Sequence, residues 1–170
     1  MRRICILGPS SSGKSTLAQA LSRKHGIPAY HLDQISHVPH TKWERKPNDV
    51  FVKEHDALLT QDAWIIEGNY RVCMPQRIAR ATEIIWVDPP LLGRLMRYLH
   101  RCIIKDPDRH GGLEGAQSEF SLFLIRHTVF RYPQNKKEYK KILAKAPVTP
   151  LLIQSMKELN AYYAREGLTR

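Results

Sequence analysis

The run Gly8-Pro9-Ser10-Ser11-Ser12-Gly13-Lys14-Ser15-Thr16 constrains this chain more than any other stretch. It has the form G-x-x-x-x-G-K-[ST], and its flanks are the ones that form requires. Ile4-Cys5-Ile6-Leu7 before it is a short apolar segment of β type. Ser15 to His25 after it carries Leu17, Ala18, Ala20 and Leu21 at helical spacing and stops at Gly26. A strand, a glycine-bounded loop and a helix therefore follow one another. Gly8 and Gly13 let the chain turn where a Cβ would clash, so the loop through Ser10, Ser11 and Ser12 can aim successive backbone N–H groups at phosphate oxygens. The helix beginning near Lys14 adds its unpaired N–H groups and positive dipole end. In this pattern Lys14 reaches the β- and γ-phosphates, Ser15 Oγ takes Mg²⁺, and Thr16 meets the α-phosphate. The expected ligands are ATP and Mg²⁺.

A chain of 170 residues is long enough for one domain with a real core. No window approaches the run of apolar residues that spans a membrane. Arg2-Arg3 with four apolar residues behind it is too short for a secretory signal, so the cytoplasm is the expected compartment. Cys5, Cys73 and Cys102 are odd in number and form no C-x-x-C pair, which favours reduced thiols over a disulfide framework or a zinc site. His31, His37 and His40 lack metal-site spacing. The formal net charge is +11, and the excess is concentrated between residues 91 and 145. That suits a polyanionic ligand, either nucleotide phosphates or a nucleic-acid backbone.

The remaining segments alternate strand and helix. Ile27 to Leu32 reads as a second strand ending at Asp33, followed by an irregular polar piece, 34–47, with Pro39 and Trp43. Asn48 is placed to cap a helix running to about Thr60. Ala63-Trp64-Ile65-Ile66 reads as a strand covered on both faces, ending in Glu67-Gly68-Asn69-Tyr70-Arg71. A short helix over 75–81 leads to a fourth strand, 83–87, stopped by Asp88-Pro89-Pro90. A helix over 91–104 sets Leu92, Leu95, Leu99 and Cys102 on one face and Arg94, Arg97 and Arg101 on another. Residues 105–115 read as a loop, and helices are expected over 118–130 and 135–145. Val148 to Ile153 is the last strand, and Ser155-Met156-Lys157-Glu158 is a capping box opening the last helix.

This alternation predicts an α/β fold with a parallel sheet covered on both faces. Ligands of such sheets bind beyond the carboxyl ends of the strands. The residues found there are the phosphate loop, Asp33, Glu67 with Gly68, and Asp88. Acidic groups at one mouth can hold Mg²⁺ or orient an acceptor hydroxyl, whereas Asp88 before two prolines reads as a turn. Trp43 is placed either to wall an acceptor pocket or to join the core.

These segments resemble the adenylate-kinase-like P-loop kinases, which include nucleoside monophosphate, shikimate and gluconate kinases. More narrowly, Ile27-Pro28-Ala29-Tyr30-His31-Leu32-Asp33 and Trp64-Ile65-Ile66-Glu67-Gly68-Asn69-Tyr70, with the arginine-rich third quarter, are similar to the topology-modulation proteins. The resemblance covers nearly the whole chain. It implies a three-layer P-loop NTPase fold, a single domain over 1–170, whose five-stranded parallel sheet has the order 2-3-1-4-5. It also implies an acceptor-binding insert at about 34–60 and a helical lid at about 105–119. Glu67-Gly68 and Arg71 keep the spacing of the Asp-Gly pair and following Arg of adenylate kinases, which implies a Mg²⁺-linked role for Glu67 and a phosphate contact for Arg71. Asp33 matches the acidic residue set against the acceptor, and Arg97 and Arg101 have the spacing of lid arginines. Lys14-Ser15 stands where adenylate kinases carry Lys-Gly, which favours the other kinases of the group. The resulting expectation is an ATP- and Mg²⁺-dependent phosphotransferase acting on a nucleotide, a nucleoside or another small hydroxyl-bearing metabolite. The alternative is a nucleic-acid-associated ATPase modulating DNA topology, although no helix-turn-helix or aromatic-basic interleaving is present. A regulatory nucleotide switch is a third possibility.

Overall fold

The computed structural model describes residues 1–104, 110–115 and 121–169. Its five strands are β1 (Arg3–Leu7), β2 (Ala29–His31), β3 (Trp64–Glu67), β4 (Glu83–Val87) and β5 (Leu151–Ile153). They form one sheet in the order β2-β3-β1-β4-β5, with every ladder parallel. This is the expected order. β1 lies at the centre, with Ile4 opposite Ile65 of β3 and opposite Glu83 of β4.

Strand side chains alternate between faces, and both faces of β1 are buried, as a parallel sheet requires. Ile4 and Ile6 join Leu17 and Leu21 of α1 (Lys14–His25) and Leu159 of α8 (Met156–Arg165). Cys5 and Leu7 join the opposite core. There they meet Phe51 of α3 (Asn48–Leu59), Met74 and Ile78 of α4 (Met74–Arg80), and Tyr139 of α7 (Tyr132–Leu143). The result is three layers, helix on sheet on helix. The Ser155 cap of α8 forms as the spacing predicts, with Glu158 N donating to Ser155 Oγ at 3.1 Å, whereas the Glu158 side chain accepts from Gln154 N, one residue before the cap, at 2.7 Å.

Several boundaries differ from the sequence reading. β2 is short because the chain turns helical at Leu32, so Asp33 sits on α2 (Leu32–Ile35) rather than at the end of the strand. Asn48 does not cap α3. It is the first helical residue, and Pro47 holds the cap position without a side-chain bond. β5 begins only after Pro150, whose ring nitrogen has no hydrogen to give a ladder. α6 (Leu122–Arg126) runs through a π-type turn (His127–Arg131) directly into α7. The widened turn lies just ahead of Pro133, which lacks an N–H and crowds the carbonyl of the preceding turn.

α5 (Leu91–Ile104) departs most from the usual arrangement. Its apolar side is outward: Leu92 is 73%, Met96 61% and Ile103 80% exposed. Its arginine side is inward, with Arg94 only 5% exposed and Tyr98 buried beside it. Of the expected lid at about 105–119, residues 105–109 and 116–119 lie outside the described residues.

Candidate functional site

The phosphate loop sits between β1 and α1 at the carboxyl edge of the sheet. Gly8 is there because nothing larger fits: a Cβ would stand 2.3 Å from the Val87 carbonyl oxygen and 2.8 Å from Ser12 Oγ, and φ is +155°. Its N–H does not face a phosphate position. It donates to Asn69 Oδ1 at 3.0 Å, while Asn69 Nδ2 donates to Gly8 O at 2.7 Å. One side-chain amide thus pairs with the backbone of the loop as a neighbouring strand would. Gly13 caps α1 with φ +97°. Ser11 Oγ and Ser12 Oγ are buried without a hydrogen-bond partner among the described residues.

Glu67, the last residue of β3, is the centre of the acidic side. It is buried, and its Oε1 accepts from Ser15 Oγ at 2.9 Å and from His31 Nδ1 at 2.9 Å. Lys14 Nζ lies 3.4 Å from its Oε2. Burial alone raises this carboxyl. The Lys14 ammonium, the His31 contact and the Ser15 hydroxyl outweigh burial and bring it down to about 2. Glu67 is therefore ionised at neutral pH and can only accept, so His31 carries a proton on Nδ1. Glu67 Oε2 has no hydrogen bond among the described residues. A serine hydroxyl bonded to an ionised carboxylate, with an unbonded oxygen beside it, is a hard all-oxygen donor set that fits Mg²⁺. The described residues contain no group of three or more His, Cys, Asp or Glu able to hold a metal by themselves.

The turn after Glu67 links the remaining parts. Gly68 O accepts from Nη2 of the fully buried Arg77 at 2.7 Å, which fixes the turn from below. Tyr70 OH donates to Asp33 Oδ1 at 2.7 Å and accepts from Ser36 Oγ at 2.6 Å. Burial and the Asp33 charge push the Tyr70 phenol far up, so it stays a neutral donor. Lys14, Ser15, Glu67 and Asp33 are thereby joined through one turn and the start of α2. Asn69, His31 and Tyr70 stand in the segments that carry the resemblance, but the sequence assigns them no site role, because their partners lie 61, 36 and 37 residues away.

On the other side, Arg97 Nε donates to the Ser11 carbonyl at 2.8 Å, and Arg97 Nη2 is buried without a partner among the described residues. Burial first, and then the like charge of Arg94, lower the Arg97 guanidinium from its ordinary value. Arg94 stacks over Tyr132 at 5.0 Å, and its Nε and Nη1 lack partners among the described residues. Arg101 lies over the Tyr98 ring at 5.1 Å. Arg71 is exposed, and its charge is felt by Tyr139, where it opposes the rise caused by burial. Of the expected arginines, Arg97 is the one with a defined bond to the phosphate loop, through the Ser11 carbonyl. Asp88 is an anchor: Tyr132 OH donates to its Oδ1 at 2.9 Å and Lys136 Nζ lies 2.5 Å from its Oδ2. Trp43 is partly exposed, edge-on to His37 at 5.3 Å.

Residues 110–115 cross this site. Gly111, at φ +74°, passes so close that a Cβ would stand 3.0 Å from Ser15 Oγ and 3.1 Å from His31 Nδ1. Gln34 Nε2 donates to Gly112 O at 2.7 Å, and His40 N donates to Glu114 O at 2.8 Å.

No protein-family model and no curated protein matches the chain. Solved structures do. A gluconokinase from Sinorhizobium meliloti superposes with a TM-score of 0.55 at 16% identity, covering 98% of this chain and 89% of that one. A shikimate kinase from Aquifex aeolicus gives 0.53 at 18%, covering 98% and 97%. A sugar kinase from a Janibacter species gives 0.52 at 12%, covering 96% and 93%. At these identities the likeness is one of fold. It shows that this chain shares with them a sheet of five parallel strands in the order 2-3-1-4-5, covered by helices on both faces. No helix among the described residues is long and apolar enough to cross a membrane.

Proposed function

We propose that this protein is an ATP- and Mg²⁺-dependent phosphotransferase acting on a hydroxyl of a small metabolite. We place it within the P-loop kinases beside the topology-modulation proteins, as a single cytoplasmic domain with an acceptor-binding segment over 34–60 and a cover that includes 110–115. The observation that carries this reading is the junction of two functions on one turn. Glu67 meets Lys14 and Ser15 at the phosphate loop, and Tyr70, three residues on, holds Asp33. The three kinase folds among the solved structures support the class, and the metabolites their names carry fit an acceptor of modest size.

In this scheme the loop N–H groups and Lys14 bind the triphosphate, and Arg97 neutralises charge on the transferred group. Ser15 and Glu67 would hold Mg²⁺, which when bound would supply further charge neutralisation at the phosphates. Asp33 orients the acceptor hydroxyl and takes its proton as the acceptor oxygen bonds to the γ-phosphorus. The bond from that phosphorus to the β-γ bridging oxygen breaks, and ADP leaves. Residues 110–115 exclude water, which would otherwise compete as acceptor. Lys14→Ala should reduce phosphoryl transfer on the order of a thousandfold or more. Unchanged turnover of ATP by that variant would remove the scheme.

A further inference from the structure

The rotation of α5 about its own axis is fixed by its inward side. Arg97 Nε donates to the Ser11 carbonyl at 2.8 Å, Arg94 lies over the Tyr132 ring at 5.0 Å, and Tyr98 OH accepts from Ser121 N at 2.7 Å. Outward stand Leu92, Met96, Leu99 and Ile103, all exposed. Their spacing of four, three and four residues sets them within about 60° of one another round the helix, in a stripe roughly 16 Å long. Scattered exposed apolar residues need no explanation, but a continuous stripe does. Turning it inward would withdraw Arg97 from the phosphate loop, so any cover must come from outside.

Charge and shape say what that cover is. The protein carries a formal net charge of +11, yet the stripe carries none. On α5 the basic side chain beside it is His100, while Arg94, Arg97 and Arg101 fall on the opposite side of the helix. A helix that lies on an anionic membrane flanks its apolar face with Lys and Arg, and an acidic partner would need cations there to pair with. Two equally basic copies, in contrast, can meet on this face without bringing guanidinium groups together. The four-three-four spacing is that of a helix seam, in which the side chains of one helix fit between those of another. Leu92, Met96, Leu99 and Ile103 are 73, 61, 40 and 80% exposed. That is roughly 500 Å² per copy, or about 1,000 Å² for a pair, the lower end of specific interfaces.

We propose that α5 is a self-association surface, on which a second copy of this chain packs its own α5 about a twofold axis. In a twofold pair one patch serves both copies, so each stripe buries the other. The same helix meets the partner copy on its outer side and holds Arg97 at the phosphate loop on its inner side. The pairing does not depend on the kinase reading.

Sedimentation equilibrium of the full chain tests this, over concentrations from about 1 to 300 µM. The average mass should rise from one copy toward two, with a Kd on the order of 10–100 µM, as a small interface implies. Met96→Lys and Ile103→Lys should each weaken pairing by about tenfold or more, because each sets a cation into the seam. Lysine at the exposed Val72, away from the stripe, should leave it unchanged. At about 1 µM, where single copies prevail, the Met96 and Ile103 variants should melt at the wild-type Tm, which separates loss of pairing from loss of fold. Raising NaCl from about 0.05 to 0.5 M should tighten pairing by screening the repulsion between the copies, whereas attraction to an anionic partner would weaken. A wild type that stays a single copy throughout, pairing that survives both lysine variants or is lost equally in Val72→Lys, or pairing that weakens with salt overturns the inference.

Discussion

The turn that ends β3 and the helix that follows β4 both border the phosphate loop, and they are built on opposite terms. In the turn each residue is bound: Glu67 to Lys14, Ser15 and His31, Gly68 to Arg77, Asn69 to Gly8, and Tyr70 to Asp33 and Ser36. On α5, Arg94 and Arg97 are drawn inward with N–H groups that no described residue accepts, while Leu92, Met96 and Ile103 face water. Buried donors without acceptors are unfavourable, and so are exposed large apolar side chains. One side of the site is thus set by the protein's own bonds. The other lowers stability where an anionic ligand would restore it.

The largest break in this comparison should come from Glu67→Gln. Transfer should fall on the order of a thousandfold, measured as product formed per unit time, because the charge that organises Lys14 and Ser15 is gone. The same variant tests the electrostatics. A carboxyl held at about 2 against an ordinary 4.5 stabilises the fold above the higher value. That contribution disappears as pH falls from 4.5 toward 2. In urea melts across this window the wild type should lose stability more steeply than Glu67→Gln.

Arg97→Met should sharpen the contrast. Transfer should fall about a hundredfold, while Tm stays level or rises, because a half-buried cation whose Nη2 is buried without a partner among the described residues is replaced by an apolar side chain of similar length. A matching loss of stability would place α5 in the same class as the turn. Asn69→Ala should lower unfolding free energy by about 1–3 kcal/mol, read from denaturant melts, since both backbone groups of Gly8 lose their partner. Met96→Lys, on the outward side of α5, should change stability by less than about 0.5 kcal/mol and leave transfer intact.

The sequence was informative wherever a local pattern carries the meaning. Gly8 through Ser15 read correctly as a loop and helix start, and the strand ends located Glu67 and Asp33 because parallel sheets gather their strand termini at one edge. Helical spacing gave the two faces of α5 but not which one turns inward. Amphipathic periodicity reports a difference between faces, and burial of the charged face depends on what it meets. The amide of Asn69 and the imidazole of His31 had no local signature, since each acts on a residue brought near only by the sheet. Pro133 was visible, yet its effect was a widened turn within a continuing helix rather than a break.

The claim on which the account turns is that Glu67 and Ser15 together place Mg²⁺ against a nucleotide held by the phosphate loop. Isothermal titration of the full chain with a non-hydrolysable ATP analogue, with and without Mg²⁺, tests it directly. The account predicts that Mg²⁺ tightens binding at least tenfold in the wild type, about 1.4 kcal/mol, and has no effect in Glu67→Gln. An equal Mg²⁺ effect in both proteins, or no nucleotide binding by the wild type, would contradict it.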